Sequence, residues 1–367
     1  MARPRKVAHG RGVSYEITYR VDGRMVRKRF PTLKLAEQAL ARAQVAALDG
    51  TYVFRGDARM TLAEYAPTWL ASLRVEHNTM AGYRTYLKCQ VLPHLGGRAM
   101  SSLRRSDINA FVGTLVNKGL APRTVRHIYA LLAMMLRSAV YDRLLTATPC
   151  YKINLPAIPP SKLSILTPEQ VTALLREARP DHYAILALGV GTGMRQGEIL
   201  GVRLRAVNFL RRELWVEAQA KTPAGGGAPV ISERLKTPSS RRLLPLPAFV
   251  VDALAAHIEQ YGTGEDGVLF TNPRGEVWRR GSFNDSVWKP ALRRAGLPHE
   301  YGMHALRHTY ASSLIAAGLH PKVIQARLGH KSIVETMDTY GHLFPEQLHE
   351  TAAVLDDLYG RSTALAL

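Results

Sequence analysis

Prolines concentrate in one stretch near the middle of this 367-residue chain, TPCYKINLPAIPPSK. Proline fixes φ and lacks a backbone N–H, so we expect this stretch to be extended and exposed rather than helical. It ends at TPEQ, where Thr167, Pro168 and Gln170 form a helix start signal. We therefore predict a linker over residues 148–162 and a new domain over residues 163–367.

Residues 1–56 combine a strand pattern with a helix pattern. SYEITYRVDGRMVRKRF alternates apolar and polar residues around an Asp-Gly pair, which favours a two-residue hairpin turn. An amphipathic helix follows. Arg27, Lys28 and Arg29 lie on the return strand, and a basic β-ribbon can enter a DNA major groove. The alternative is a solvated edge hairpin whose charges oppose aggregation.

Residues 60–147 have the pattern of an all-helical domain. TLAE is a capping box, and the Met-rich stretch LLAMML lies on an apolar stripe that we assign to a core. Basic residues lie between the apolar stripes. They could bind DNA phosphates or form the solvated faces of amphipathic helices, and the pattern does not separate the two. The DNA-binding candidates among them are Arg84, Lys88, Arg123 and Arg126.

The charge of the chain favours a polyanionic partner. Lys and Arg total 49 against 29 acidic residues, a net charge of +20, and a chain this basic most often binds nucleic acid. The two cysteines have no metal-site spacing, the basic N-terminus lacks an apolar signal region, and no run is apolar enough for a membrane span. We therefore expect a cytoplasmic, nucleoid-associated protein.

The densest group of functional side chains is in HALRHTYAS. On a helix, His304 and His308 would lie at i and i+4, the spacing of a zinc-binding pair. Ala305 stands where a zinc protease motif has Glu, and a third ligand is not evident. Arg307 lies at i+3 from His304, so an imidazole and a guanidinium can share one face and hold a phosphate. We assign His308 to packing of this helix.

Other motifs supply groups suited to a phosphate site. GTGMRQGEIL contains Arg195, with Glu198 at i+3 to orient or neutralise it, and LGHKSIVETMDTYGHLF contains His330 and Tyr340. Between them lies LKTPSSRRLLPLP, with a lysine at a predicted turn. The order along the chain is Arg, Lys, His-x-x-Arg, His, Tyr.

Four of these motifs resemble those of the tyrosine recombinases, or phage-type integrases: TGMRQGEI, LKTPSSRRLLPLP, HALRHTYAS, and LGHKS followed by the tyrosine. The resemblance covers the whole third segment. The second segment is similar to the family's helical core-binding domain, and the first looks like the arm-binding domain of the larger integrases, a three-stranded sheet with a helix.

The resemblance implies a site-specific DNA recombinase that works through a 3′-phosphotyrosyl link and a free 5′-hydroxyl, without metal or ATP. Two arginines and a histidine would stabilise phosphorane charge, a histidine at the start of HALRHTYAS would act as base, and a lysine would protonate the leaving oxygen. The catalytic residues carried over are Arg195, Lys236, His304, Arg307, His330 and Tyr340, with Glu198 as a supporting residue.

Two lysines compete for the leaving-group role. Lys221 and Lys236 each begin a KTP triplet. The family places its lysine in a hairpin before a basic SRR…PLP strand, a context that matches Lys236. Lys221 lies beside a Gly-rich turn and is predicted to be in a loop.

We therefore expect a multidomain, mainly α protein: a small α+β arm-binding-like domain, an all-helical core-binding domain, and a mostly helical catalytic domain with a small antiparallel sheet. Its partners would be double-stranded DNA at core and arm-type sites, further copies in a dimer and tetramer, and excisionase or DNA-bending proteins. A C-terminal helix after Gly341 would dock on a neighbouring protomer. The rivals are a type IB topoisomerase, which the arm-like domain argues against, and a non-catalytic DNA-binding regulator, which the filled catalytic positions argue against.

Overall fold

The fold is described from a computed structural model, which divides between residues 160 and 161 into two compact units. The described residues are 3–9, 12–49, 52–54, 59–159, 163–223, 227–235 and 237–344.

The first unit begins with an antiparallel three-stranded sheet covered on one face by a helix. The Asp22-Gly23 pair has φ values of 45° and 77°, as a primed hairpin turn requires. The Thr32 side chain accepts a hydrogen bond from the Leu35 N–H and caps the helix. The elements are β1 (Arg5–His9), β2 (Gly12–Val21), β3 (Arg24–Phe30) and α1 (Leu33–Leu48), with strand order β1-β2-β3.

Side chains along the β2–β3 hairpin alternate between its two faces, and this alternation separates the basic residues of β3. Ile17 and Tyr19 are buried against α1, and Val26 packs partly against the same core. Lys28 falls on the Val26 face, and its ammonium lies 5.8 Å from the centre of the Tyr52 ring. The three consecutive basic residues of β3 therefore do not share one face.

A helical bundle follows. Thr61 and Glu64 form the predicted capping box, and the stripe through Ile128 and Met135 is fully buried, as a core stripe should be. A π-helical turn joins α3 to α4. The helices are α2 (Leu62–Ser72), α3 (His77–Tyr86), α4 (Leu92–Leu95), α5 (Arg105–Asn117) and α6 (Pro122–Tyr141).

The described part of the proline-rich linker is extended, but it is not simply exposed. Ile153 and Leu155 pack against the helical core, and Arg105 donates two hydrogen bonds to the Lys152 carbonyl. The Arg126 Nε donates to the Pro156 carbonyl at 2.9 Å. The expectation of an exposed segment holds only in part: Tyr151 and Ile158 are exposed, whereas Ile153 and Leu155 are partly buried because the bundle removes their apolar side chains from water.

The second unit is mostly helical and begins at the predicted capping box of Thr167 and Gln170. Its helices are α7 (Pro168–Arg176), α8 (Pro180–Thr192), α9 (Gln196–Ile199), α10 (Ala248–Tyr261), α11 (Arg280–Phe283), α12 (Lys289–Arg294), α13 (His304–Ala316), α14 (Pro321–Leu328) and α15 (Ile333–Tyr340).

Short antiparallel strands interrupt these helices. They are β4 (Val207–Asn208), β5 (Glu213–Val216) and β8 (Arg242–Pro245), then β6 (Gln219–Lys221) and β7 (Val230–Ser232). Three of these strands form a sheet in the order β4-β5-β8, and the other two, β6 and β7, form a hairpin. Lys221 lies in β6, so the prediction that it lies in a loop was wrong.

The predicted fold class is confirmed: a mainly helical multidomain chain with small antiparallel sheets. The exact domain boundaries stay predictions. Across the described ranges, no helix has both the length and the apolar character needed to span a bilayer. The predicted C-terminal docking helix falls on residues 345–367, which lie outside the described residues.

Candidate active site

The first catalytic candidate stands at a sharp turn between two helices. Gly193 ends α8 with φ of +61°, and a Cβ there would lie 2.4 Å from the Tyr310 ring, so glycine is required. The turn brings Arg195 to the N-terminal end of α9. Its Nη1 binds Glu198 Oε1 at 2.9 Å, and its Nη2 donates to the Gly329 carbonyl at 3.3 Å.

Arg307 lies on the first turn of α13 and is 1% exposed. Its Nη1 donates to the Gly193 carbonyl at 3.0 Å, and its Nη2 donates to the Leu328 carbonyl at 2.7 Å. These carbonyls belong to the C-terminal ends of α8 and α14, where the helix dipole favours a cation. Burial, followed by repulsion from Arg195, lowers the Arg307 pKa to about 9, which leaves the side chain charged at neutral pH.

One buried carboxylate holds two of the arginines. Glu198 binds Arg195 through one oxygen, and its Oε2 lies 2.9 Å from Arg242 Nη2. Burial alone would raise the Glu198 pKa, but Arg242 and then Arg195 outweigh it and the pKa is lowered. Arg242 also donates from Nε to the Arg327 carbonyl at 2.7 Å. Sequence reasoning missed Arg242, although its strand was recognised as basic.

The two histidines that the motifs assign to catalysis, His304 and His330, lie in the same part of the unit as the arginines. His330 follows Gly329, which ends α14 with φ of +66°, and its Nδ1 lies 2.8 Å from Thr336 Oγ1. Burial and the nearby arginines lower the His330 pKa to about 3. Burial, followed by the neighbouring His308 and Arg307, lowers the His304 pKa to about 4. Both imidazoles are therefore neutral at pH 7.

Tyr340 is the last residue of α15 and is 1% exposed. Its ring is nearly parallel to that of His330, with the centroids 6.4 Å apart. Its hydroxyl lies 2.9 Å from Nδ1 of His308. Burial raises the Tyr340 pKa to about 12, and Arg307 opposes part of that effect. His308, assigned to packing from the sequence, therefore contacts the hydroxyl directly.

Comparison with known proteins agrees with this arrangement. Residues 164–347 match the profile of the phage integrase family, and residues 61–116 match its N-terminal SAM-like domain. The chain belongs to the phage integrase family. It is a tyrosine site-specific recombinase of the integrase type.

A curated relative supports the same assignment, and two solved structures share the fold. A XerC-like tyrosine recombinase of Caldanaerobacter subterraneus subsp. tengcongensis is 28% identical over 92% of this chain and 93% of its own. The Tn1549 transposon integrase, solved with a circular intermediate DNA, has a TM-score of 0.71 at 23% identity and covers 82% of this chain and 99% of its own. Lambda integrase, solved as a tetramer on a Holliday junction, has a TM-score of 0.60 at 18% identity over 93% and 94%.

Of the integrase's two lysine candidates, one lies within the described residues and the other does not. Lys236 lies outside the described residues, so its role stays a prediction. Lys221 ends strand β6, and its Nζ donates to the Arg234 carbonyl at 3.1 Å, in the segment that follows β7.

The predicted DNA-binding residues of the integrase are distributed over several elements. Arg27 and Arg29 on β3 both pair with Glu16, at 3.5 and 2.8 Å. Arg126 is engaged by the linker carbonyl described above, which gives it a structural contact. Arg84 lies on α3, Lys88 in the π-helical turn and Arg123 on α6.

The two histidines of the HALRHTYAS motif lie next to each other in the integrase. The rings of His304 and His308 meet edge to face, with the centroids 4.7 Å apart. Within the described ranges, no group of three or more His, Cys, Asp or Glu side chains is placed to hold a metal ion.

Gly329→Ala should harm the integrase more than Gly318→Ala. Both glycines follow helices and have φ near +70°, so each alanine should cost about 1–2 kcal/mol in backbone strain. Only at Gly329 would the Cβ also lie 2.9 Å from Arg242 Nη1 and from the Ser239 carbonyl. Thermal unfolding should show the larger loss for Gly329→Ala, with DNA cleavage slowed about tenfold or more because Arg195 is displaced. Equal losses for the two variants would contradict this account.

Glu198→Gln should strongly destabilise the integrase at neutral pH. It leaves two arginines without their counter-charge, and breaking a buried pair costs about 3–5 kcal/mol. The Glu198 pKa is lowered in the folded state, so its stabilisation is complete above the ordinary value of 4.5 and is lost as the pH falls through the lowered value. The difference between wild type and variant in urea denaturation should therefore shrink below pH 4.5.

Glu217→Gln is the matched control, because Glu217 pairs with Arg205 at 3.0 Å on the surface. Such a pair contributes about 0–1 kcal/mol. A Glu198→Gln effect as small as that of the control would refute a structural role for the buried carboxylate.

Proposed function

We propose that this recombinase cuts and rejoins double-stranded DNA through a 3′-phosphotyrosyl intermediate formed on Tyr340, and that it integrates or excises a phage or other mobile element. The observation that carries the proposal is the convergence of Arg195, Arg307, His330 and Tyr340. They come from separate motifs and are joined through helix-terminal carbonyls and ring contacts.

The arrangement suits transesterification at a phosphodiester. The Tyr340 hydroxyl oxygen attacks phosphorus, the bond from phosphorus to the 5′-oxygen breaks, and the leaving oxygen takes up a proton. Arg195 and Arg307 stabilise the negative charge that builds on the nonbridging oxygens, with neutral imidazoles at His304 and His330 to donate further hydrogen bonds. Each bond broken is replaced by one of the same kind, so rejoining to another strand needs no ATP.

We propose that fixed cations perform the electrostatic work that a metal ion performs in many other nucleases. Two guanidinium groups are planar, permanently charged and able to bind two phosphate oxygens each. Arg307 is held by two backbone carbonyls rather than by a carboxylate, so its charge is available to a phosphate. Lys236 completes the set by protonating the leaving 5′-oxygen.

Two observations support the proposed partners: the net charge of the chain and the assemblies in which its relatives were solved. A net charge of +20 favours binding to the phosphate backbone in the nucleoid of the cytoplasm. The solved relatives are described with circular intermediate DNA and as a tetramer on a Holliday junction. We propose that this chain likewise binds DNA, at core and arm-type sites, and forms dimers and a tetramer during strand exchange. Excisionase or DNA-bending proteins would be its accessory partners.

Tyr340→Phe should abolish the covalent adduct on a nicked suicide substrate, because it removes only the attacking oxygen. Tyr310→Phe is the control. Tyr310 lies on the same motif helix and packs against Gly193, and the substitution keeps that ring. Adducts are counted by denaturing gel electrophoresis after equal DNA binding has been verified. Adduct formation by Tyr340→Phe would refute the nucleophile, and a wild type without adduct would favour a non-catalytic regulator.

The lysine assignment is tested with a substrate that has sulfur in place of the scissile 5′-bridging oxygen. A thiolate leaves without a proton, so loss of the general acid should matter little there. Lys236→Ala should slow cleavage of the ordinary substrate about 10²- to 10⁴-fold and be restored on the sulfur substrate. Lys221→Ala should cleave both substrates near the wild-type rate. The reverse pattern would transfer the role to Lys221.

A further inference from the structure

The hydroxyl of Tyr340 has a hydrogen-bond partner that the family-derived roles do not use. It lies 2.9 Å from Nδ1 of His308, with the two ring centroids 5.7 Å apart and the planes at 63°. His308 is one turn along α13 from His304 and directly follows Arg307. The contact therefore links the helix that carries a phosphate-binding arginine to the helix that ends in the nucleophile.

The ionisation of the two members makes this hydrogen bond one between neutral groups. Burial, followed by the charge of Arg307, lowers the His308 pKa, so the imidazole is neutral and one ring nitrogen has a lone pair. Burial raises the Tyr340 pKa to about 12, so the phenol keeps its proton. In the tautomer that has its hydrogen on Nε2, Nδ1 of His308 accepts the phenol's hydrogen, and this is the tautomer that the following proposal uses.

The other imidazoles are placed for different contacts. His304 lies one turn before His308 on α13. Its ring packs edge to face against the His308 ring, with the centroids 4.7 Å apart. Nδ1 of His330 is engaged by Thr336 at 2.8 Å, and its ring is parallel to that of Tyr340. Within the described part of the chain, the hydrogen-bond partner of the nucleophile's hydroxyl is Nδ1 of His308.

We propose that His308 is the general base that accepts the Tyr340 proton as the tyrosine attacks the scissile phosphate. The oxygen–hydrogen bond of Tyr340 breaks as its oxygen bonds to phosphorus, the proton passes to Nδ1 of His308, and the 5′-oxygen leaves with a proton from the general acid. In rejoining, the tyrosine leaves and regains its proton from His308. This inference rests on the proposed function and replaces the base role expected of His304.

The surroundings of His308 are compatible with a transient positive charge. The groups that face it are His304 and Arg307 on α13, Tyr340 on α15 and His330 before α15. Among these, Arg307 opposes protonation in the free chain. A bound phosphodiester supplies a compensating negative charge, so the base is able to accept the proton when substrate is present.

His308→Asn is the sharpest test, because the Asn side-chain amide can place an oxygen near the position of Nδ1 but does not accept a proton at neutral pH. Single-turnover cleavage should be slower by about 10²-fold or more on both the oxygen and the sulfur substrates, with DNA affinity and melting temperature retained. The low-pH limb of the wild-type pH–rate profile should disappear. Lys236→Ala, rescued by sulfur, and His304→Asn, which should keep the low-pH limb, are the controls.

Three results would overturn the proposal: cleavage by His308→Asn at the wild-type rate, rescue of this variant by the sulfur substrate, or slow cleavage that keeps the low-pH limb. The last would make His308 a positioning residue only. If His308→Asn melts early, His308→Ala is assayed with added imidazole, whose free base should restore cleavage if the proposal holds. Failure of the proposed function is separate, since it would appear as a missing wild-type adduct or a persistent Tyr340→Phe adduct.

Discussion

The buried carboxylate of Glu198 is the contact on which the geometry of the active site depends. It binds Arg195 on one side and Arg242 on the other, both at 2.9 Å. Through these arginines it reaches two carbonyls at the end of α14, those of Arg327 and Gly329. One acidic residue thus ties α9, strand β8 and the end of α14 together. Leaving one of these buried charges without its partner would be costly, so the contacts hold these elements fixed relative to one another.

A phosphate site requires positive charge that is not consumed by the protein itself. Carboxylates around every arginine would neutralise the site, and uncompensated arginines would repel one another. The protein uses helix-terminal carbonyls instead: those of Gly193 and Leu328 hold Arg307 with partial rather than full negative charges. The site therefore holds its cations in place while it keeps a net attraction for a phosphodiester.

How much was predictable from sequence depended on the range of the interaction. The Asp22-Gly23 turn and the Thr61 and Thr167 caps are confirmed, because each rests on contacts within three or four residues. The motifs predicted one site for Arg195, Arg307, His330 and Tyr340. In the structure both arginines contact carbonyls at the end of α14, and the His330 and Tyr340 rings lie side by side. The partial burial of Ile153 was missed, since it depends on packing between segments far apart in the chain.

The same limit applies within the site. Arg242 occupies a strand position that reads as a basic, alternating surface, and only the tertiary placement of Glu198 makes it a buried partner. His308 reads as helix packing because its contact with Tyr340 spans 32 residues and depends on where α15 ends.

In the free protein the proposed nucleophile, Tyr340, is held in its protonated, unreactive form. Burial keeps the phenol of Tyr340 protonated and the imidazoles of His304 and His330 neutral, with pKa values displaced to about 12, 4 and 3. Bound phosphate would oppose the shift at both histidines, because a nearby negative charge favours the protonated imidazole. The same phosphate also offsets part of the charge of Arg195 and Arg307, so it does not by itself favour a tyrosinate. What bound DNA changes is therefore the imidazole side of the proton transfer, because the histidines become stronger bases when a phosphodiester lies beside them.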